Sequence, residues 1–483
     1  MKRFIWIMLT LPLFTTGCFS KIQELPRLEH KSDFAAPDDR DELIGIAISG
    51  GGSRAATFAS GALEALGEIG LQQNGKTLSL LDRVGYISSV SGGSLAAAYY
   101  AMRKPGKEVA ILRGQELSAA YRSFFDRFQQ DMQKDFEMSA FWRQLGQFRA
   151  LNPTKNTYSF AEAWDAEFFG GQTFSNLYER ERRGDSPRLI LNGTSYNTGQ
   201  RVALTTLPAS EFEYDFVKTV TDDLATMDSG NREQSQSLAN SLEIAQSHFR
   251  PLTFDALKAD HHSLSISLAV ATSASFPPVV GPVTYSVGGQ PPYIHIGDGG
   301  LFDNLGTESL ITVFLKKIPA GPSKKRGYII VIDASYPFDA GKLDLDNQQK
   351  GFSVFKNDPS RIVSIMEERA NTYQKMLWYS LRAEGKVIPD IKNLDIVILK
   401  HTDADWPNGY SELPEECRDQ FKATATPQDI KNYVSRIPTL FRIKTPCDGA
   451  LLIKSARKVV AKHRTQITEF LQGGSRGAVA ENE

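Results

Sequence analysis

The stretch from Glu42 to Tyr100 constrains the fold of this chain more than any other. Glu42-Leu43-Ile44-Gly45-Ile46-Ala47-Ile48-Ser49 is apolar without alternation, which suits a parallel strand buried on both faces. Gly50-Gly51-Gly52-Ser53-Arg54 follows, and then a helical stretch from Ala55 to Ile69 rich in Ala, Leu and Glu. A second apolar run, Val84 to Ile87, passes through Ser88-Ser89-Val90-Ser91-Gly92-Gly93-Ser94 into the small-residue helical run Leu95 to Tyr100. Strand, glycine loop, helix, strand, serine turn, helix is the grammar of an α/β fold.

Three pieces of this chain carry chemistry. A serine pinched between strand and helix, with glycines after it, reads as a nucleophile elbow that presents Ser91 Oγ at the mouth of the sheet. The usual pattern is Gly-x-Ser-x-Gly, and Ser89 stands where the first glycine is expected. The glycine loop admits three readings. Gly50-x-Gly52-x-x-Ala55 fits the dinucleotide fingerprint, but the acidic residue wanted about 20 positions on is missing, since Glu64 and Glu68 fall in the helix and Asp82 comes late. Glycine amides at Gly51 and Gly52 could instead form an oxyanion hole, or the loop could be a plain turn. The third piece is Asp298, flanked by Gly297, Gly299 and Gly300 at the end of a strand-like run, Pro291 to Ile296. As a base toward Ser91 it would need burial to raise its pKa from about 4. Alone, it reads as a turn aspartate.

Together these stretches resemble the patatin-like phospholipases. That family carries Gly-Gly-Gly-x-Arg/Lys, then Gly-x-Ser-x-Gly, then Asp-Gly-Gly/Ala, in that order. Here they are Gly50 to Arg54, Ser89 to Gly93 and Asp298 to Gly300, and Ala271 to Pro278 looks like the alanine/serine run before the family's aspartate motif. The resemblance covers about residues 42 to 335. It implies a three-layer α/β sandwich with a central, mainly parallel sheet, a helical insertion and a C-terminal extension. It also implies a serine–aspartate dyad: Ser91 as nucleophile, Asp298 as base, and Gly51 and Gly52 with the motif residue Arg54 at the oxyanion hole. No metal or cofactor is implied. The implied substrate is a phospholipid or other lipid ester. A Ser-His-Asp triad is the rival, yet His295 lies an odd number of residues from Asp298 along a strand, and His261 and His262 sit in a polar stretch. An acyltransferase with the same dyad and a non-catalytic scaffold are the alternatives to the hydrolase.

The N-terminus adds a location. Lys2 and Arg3, an apolar run from Phe4 to Phe14 and Thr15-Thr16-Gly17-Cys18 lay out an export signal over residues 1–17, too short for a membrane span. Cys18 after small residues resembles the lipidated cysteine of bacterial lipoproteins, although Thr15 replaces the usual leucine. Residues 18–41 then read as the lipidated cysteine and a polar tether, and Phe19 leans toward the outer membrane facing the periplasm. A net charge of -1 asks for no nucleic-acid partner. Export makes Cys417 and Cys447 a possible disulfide.

The remainder is organisation. Residues 110–180 read as an aromatic helical segment, either a subdomain with its own core or a lipid-facing cap. Strand runs are expected at Arg188 to Asn192, Arg201 to Thr206, Tyr328 to Ile332 and Leu394 to Leu399. Helices are expected at Leu264 to Ser275, Ser360 to Leu381 and Ala450 to Leu471, with a polar surface stretch from about 219 to 246. Residues 336–483 form the C-terminal α/β extension.

Overall fold

Alternate residues of one strand, Glu42–Ile48, go to opposite faces and define the layers. Leu43 and Ala47 join one buried apolar cluster, while Ile44, Ile46 and Ile48 join the other. Strand Arg326–Asp333 repeats the division, with Ile329 and Val331 on the first side and Ile330 and Ile332 on the second. A sheet apolar on both faces requires cover on both, and the result is three layers. This computed structural model describes residues 21–29, 42–73, 75–146, 153–215, 250–277, 280–319, 325–335, 370, 372 and 389–471.

The main sheet has ten strands. They are β1 (Ile22–Leu25), β2 (Glu42–Ile48), β3 (Tyr86–Val90), β4 (Arg188–Ser195), β5 (Arg201–Thr205), β6 (Leu252–Thr253), β7 (Val283–Val287), β8 (Gln290–Asp298), β9 (Arg326–Asp333) and β10 (Leu394–Lys400). Their order is β1-β7-β8-β4-β3-β2-β9-β10, with β5 and then β6 leaving from β4. The block β4-β3-β2-β9-β10 is parallel throughout. Antiparallel pairing enters where β8 meets β7 and β4, and where β5 meets β4.

Helices α1 (Gly52–Gly67) and α2 (Gly92–Arg103) cover one face, and α8 (Thr307–Lys317) covers the other. Between them lie α3 (Ala119–Met132), α4 (Phe136–Gly146), α5 (Pro153–Trp164), α6 (Phe174–Arg183) and α7 (Ile266–Ser273). The aromatic segment does not build a separate core: its buried rings join the same apolar cluster as β2, α1 and α2. Tyr99 of α2 stacks on Phe128 of α3 at 4.7 Å between ring centres, and Phe136 and Trp164 are fully enclosed. The exception is α4, where Met138, Phe141 and Trp142 are exposed.

The C-terminal residues are built into the fold. β10 continues the parallel sheet beyond β9, α9 (Pro427–Ser435) precedes a short loop, and α10 (Pro446–Leu471) lies along α1. Gly61 of α1 allows that approach, because a Cβ there would stand 3.0 Å from the Ile453 Cα. A disulfide joins Cys417 to Cys447.

The tether expected over residues 18–41 is corrected in part: β1 pairs in parallel with β7, and Leu25 is buried. An unpaired sheet edge offers backbone partners to an extended segment of any composition, and that edge is invisible in the local sequence Ile22-Gln23-Glu24-Leu25. The signal stretch, Cys18 and the polar stretch near 219–246 lie outside the described residues, as does nearly all of the helix expected from 360 to 381.

Candidate active site

Ser91 follows β3 directly and caps α2 with φ 52° and ψ −126°, a backbone region that residues other than glycine seldom occupy. The sharp turn survives because neighbours over-determine it. Ser91 N–H donates to Ser273 Oγ at 3.1 Å, and Ser273 Oγ in turn donates to the Asn192 carbonyl. Ser94 Oγ lies 2.9 Å from Ser273 Oγ and 3.1 Å from Ser89 Oγ. Ser89, which departs from the usual elbow glycine, is therefore a fully buried member of a hydroxyl chain that ties β3 to α2 and α7.

The glycine loop presses on this elbow. A Cβ on Gly92 would stand 2.0 Å from the Gly52 carbonyl oxygen, so the two turns touch backbone to backbone. Gly51 (φ 138°) and Gly52 (φ 59°) turn β2 into α1. Gly50 N–H donates to the Asn304 carbonyl and Ser53 N–H to the Leu440 carbonyl. The Gly51 and Gly52 amides make no backbone hydrogen bond among the described residues. Two neighbouring N–H groups at a helix start form a place for negative charge. Arg54, in the first turn of α1, ties the loop to other parts of the chain. Its buried guanidinium donates to the carbonyls of Ala334 (2.9 Å) and Ile437 (2.8 Å) and braces the loop from below.

Asp298 arrives at the elbow through sheet register. β3 runs up one edge of β4 as far as Val90, opposite Asn192. β8 descends the same edge and stops with Asp298 opposite Gly193, the next residue. Asp298 is 1% exposed. Its Oδ1 accepts the Gly300 N–H at 2.8 Å, while Oδ2 is enclosed and has no well-formed hydrogen bond. Burial pushes its pKa up to about 7 against the lowering pull of the Gly300 amide and of the Ser91 hydroxyl nearby. This is the raised carboxylate that base chemistry toward Ser91 calls for.

Among the described residues, His295, His261 and His262 are each engaged away from Asp298. His295 Nδ1 is 2.9 Å from Thr284 Oγ1 on β7, His261 is buried with Nε2 3.0 Å from the Thr205 carbonyl, and His262 pairs with Asp260. Sequence reasoning missed four residues of this site: Asn192, Ser94, Ser273 and Asn304. Asn192 Nδ2 donates to Ser88 Oγ and the Ser89 carbonyl, holding the strand that delivers Ser91. Ser273 lay in the run noted before the aspartate motif, but nothing local assigned it a partner.

The chain matches the patatin-like phospholipase family model over residues 46–311, more than half its length. It belongs to the patatin-like phospholipase family. The solved structures similar to this patatin-like protein include human GIVD cytosolic phospholipase A2, at 13% identity and TM-score 0.44, covering 91% of this chain and 61% of that one. The same human protein in complex with methyl gamma-linolenyl fluorophosphonate matches at 15% identity and TM-score 0.43, over 91% and 61% of the two chains. The patatin-like chain thus spans about three-fifths of that relative's length. A comparison with curated protein sequences finds no match.

Proposed function

We propose that this patatin-like protein is a lipid acyl hydrolase of the phospholipase A or esterase type, working through a Ser91–Asp298 dyad and an acyl-enzyme. The observation that carries the reading is the enclosed Asp298 Oδ2, raised in pKa and close to the hydroxyl of a serine on a strained elbow. Ser91 Oγ attacks the ester carbonyl as its proton passes to Asp298 Oδ2. The carbonyl oxygen becomes an anion, held by the Gly51 and Gly52 amides, each such donor being worth on the order of 3 kcal/mol. Collapse expels the alcohol, which takes the proton from Asp298. Water then attacks the acyl-serine and gives a proton to Asp298, and a second collapse releases the fatty acid and returns that proton to Ser91 Oγ.

The lipid class rests on family membership and on the exposed Met138, Phe141 and Trp142 of α4, which suit a bilayer-borne substrate. Export with a lipid anchor at Cys18 belongs to the same proposal and rests on the N-terminal residues. The test is labelling with an active-site fluorophosphonate, peptide mapping, and turnover of phospholipid vesicles by wild type, Ser91→Ala and Asp298→Asn. The reading expects a tag on Ser91, slower by orders of magnitude in Asp298→Asn, and fatty acid released by wild type alone. A folded wild-type protein that neither labels nor releases fatty acid refutes it. Ester formation with an added alcohol in place of fatty acid would assign an acyltransferase.

A further inference from the structure

The glycine loop is gripped from a distant part of the chain. Between α9 and α10 runs a short strap, residues 437–442, whose carbonyls reach the first turn of α1. Leu440 O accepts the Ser53 N–H at 2.7 Å, and Ile437 O accepts Arg54 Nη1 at 2.8 Å. The strap lies so close that a Cβ on Gly52 would stand 2.4 Å from Leu440 O. The first amides of a helix have no intrahelical acceptor, so their partners decide how that turn sits. Here the Ser53 amide is taken by the strap, and the adjoining Gly51 and Gly52 amides are left without backbone partners among the described residues.

The strap is itself fixed on two sides. Phe441 packs on Phe160 and Trp164 with ring centres 4.9 and 5.8 Å away. Its carbonyl accepts the Phe136 N–H and its N–H donates to Glu137 Oε1, both at 3.0 Å, at the start of α4. Arg442 adds an ion pair with Glu137 at 3.1 Å. On the other side the Cys417–Cys447 disulfide closes a loop that contains α9 and the whole strap.

We propose that residues 437–441 are a positioning part of the active site: Ile437 and Leu440 hold the glycine loop in its anion-binding shape, with the Cys417–Cys447 bond and Phe441 keeping the strap seated. The role in turnover rests on the hydrolase reading, while the grip on the loop does not. A closed loop has fewer conformations from which to lose the strap, and a displacement of about 1 Å at a donor pair costs on the order of a hundredfold in rate.

The experiment uses the full chain as Cys417→Ser/Cys447→Ser, Phe441→Ala and Phe441→Leu. Hydrolysis of a soluble 4-nitrophenyl ester is divided by the sites counted from the final extent of fluorophosphonate labelling. Hydrogen exchange is followed at the Gly50 to Arg54 amides. The expected result is a fall in kcat per site of roughly 10- to 100-fold in the first two variants, with KM within about twofold. The pH midpoint near 7 set by Asp298 should stay in place, because β4 and β8 hold that residue independently of the strap. Exchange at Ser53 should quicken in the same two variants, and Phe441→Leu should restore both readouts. A folded double-serine variant and a folded Phe441→Ala with wild-type kcat and wild-type exchange overturn the proposal. Quickened exchange in a protein whose wild type hydrolyses nothing upholds the grip and removes the hydrolase reading instead.

Discussion

Val90 and Asp298 occupy neighbouring rungs on one edge of β4, Val90 opposite Asn192 and Asp298 opposite Gly193. β3 and β8 thus meet end to end, one arriving from each direction. The closeness of Ser91 to Asp298 is a consequence of that meeting: Ser91 is the first residue past the end of β3, and Asp298 is the last residue of β8.

The titration of Asp298 gives a rate prediction. In the proposed role of base it must be ionised, so kcat should rise with pH through a midpoint near 7. A pH–rate profile whose acidic limb lies near 4 would assign the base to another group.

The same pKa gives a stability prediction of fixed sign. A carboxyl raised in the folded state binds more protons folded than unfolded between pH 4 and 7, so its contribution weakens as pH rises across that window. Asp298→Asn keeps the Oδ1 acceptor for Gly300 and removes the buried charge. It should therefore melt higher than wild type at pH 8 and close to wild type at pH 4. Scanning calorimetry at the two values reads the difference.

Ser91 stores backbone strain. At φ 52° a Cβ costs about 1–3 kcal/mol, and glycine does not incur it. Ser91→Gly should gain stability over Ser91→Ala, both without turnover. Equal urea midpoints for the two variants would argue against strain at the elbow.

Ser273 is predicted to act through Ser91. Ser273→Ala leaves the Ser91 N–H and the Asn192 carbonyl without this shared partner in a dry site, a loss of about 1–3 kcal/mol. Stability by urea unfolding should fall by that amount and kcat by at least roughly tenfold, since the elbow loses its tether.

Ser89→Gly tests the departure from the elbow pattern. It removes the hydroxyl facing Ser94 Oγ and the Ile190 carbonyl and adds a glycine to a strand, together costing on the order of 1–2 kcal/mol. Turnover should stay within about twofold, because the Ser91 N–H keeps its bond to Ser273 Oγ, which still meets Ser94 Oγ and the Asn192 carbonyl. A tenfold loss of kcat would place Ser89 among the residues that position Ser91.

Much of the layered sheet could be read from runs such as Leu43–Ile48 and Tyr328–Ile332, since a strand covered on both faces is apolar at every position. Helices over Leu264 to Ser275 and Ala450 to Leu471 were likewise local and appear as α7 and α10. β1 could not be read this way, because an edge strand of four residues takes its structure from the partner it pairs with. The aromatic segment was ambiguous for a related reason. Periodicity shows which side of a helix is apolar but not whether protein or solvent lies against it, and within the described part of this segment the large apolar residues left exposed are on α4.

The site divides along the same line. Residue type and spacing along the chain determined the elbow serine, the glycine loop and the aspartate motif, because tight turns and close backbone approach admit few residues. Only the tertiary structure decided that β8 stops beside β3, that burial lifts Asp298, and that Ser273 of α7, backed by Ser94 of α2, clamps Ser91. Only it decided that Arg54 braces the loop from below and that the strap after α9 grips it. Those relations are carried by backbone carbonyls, register and exclusion of water, which exist between distant segments and leave almost no mark on the residues of either one.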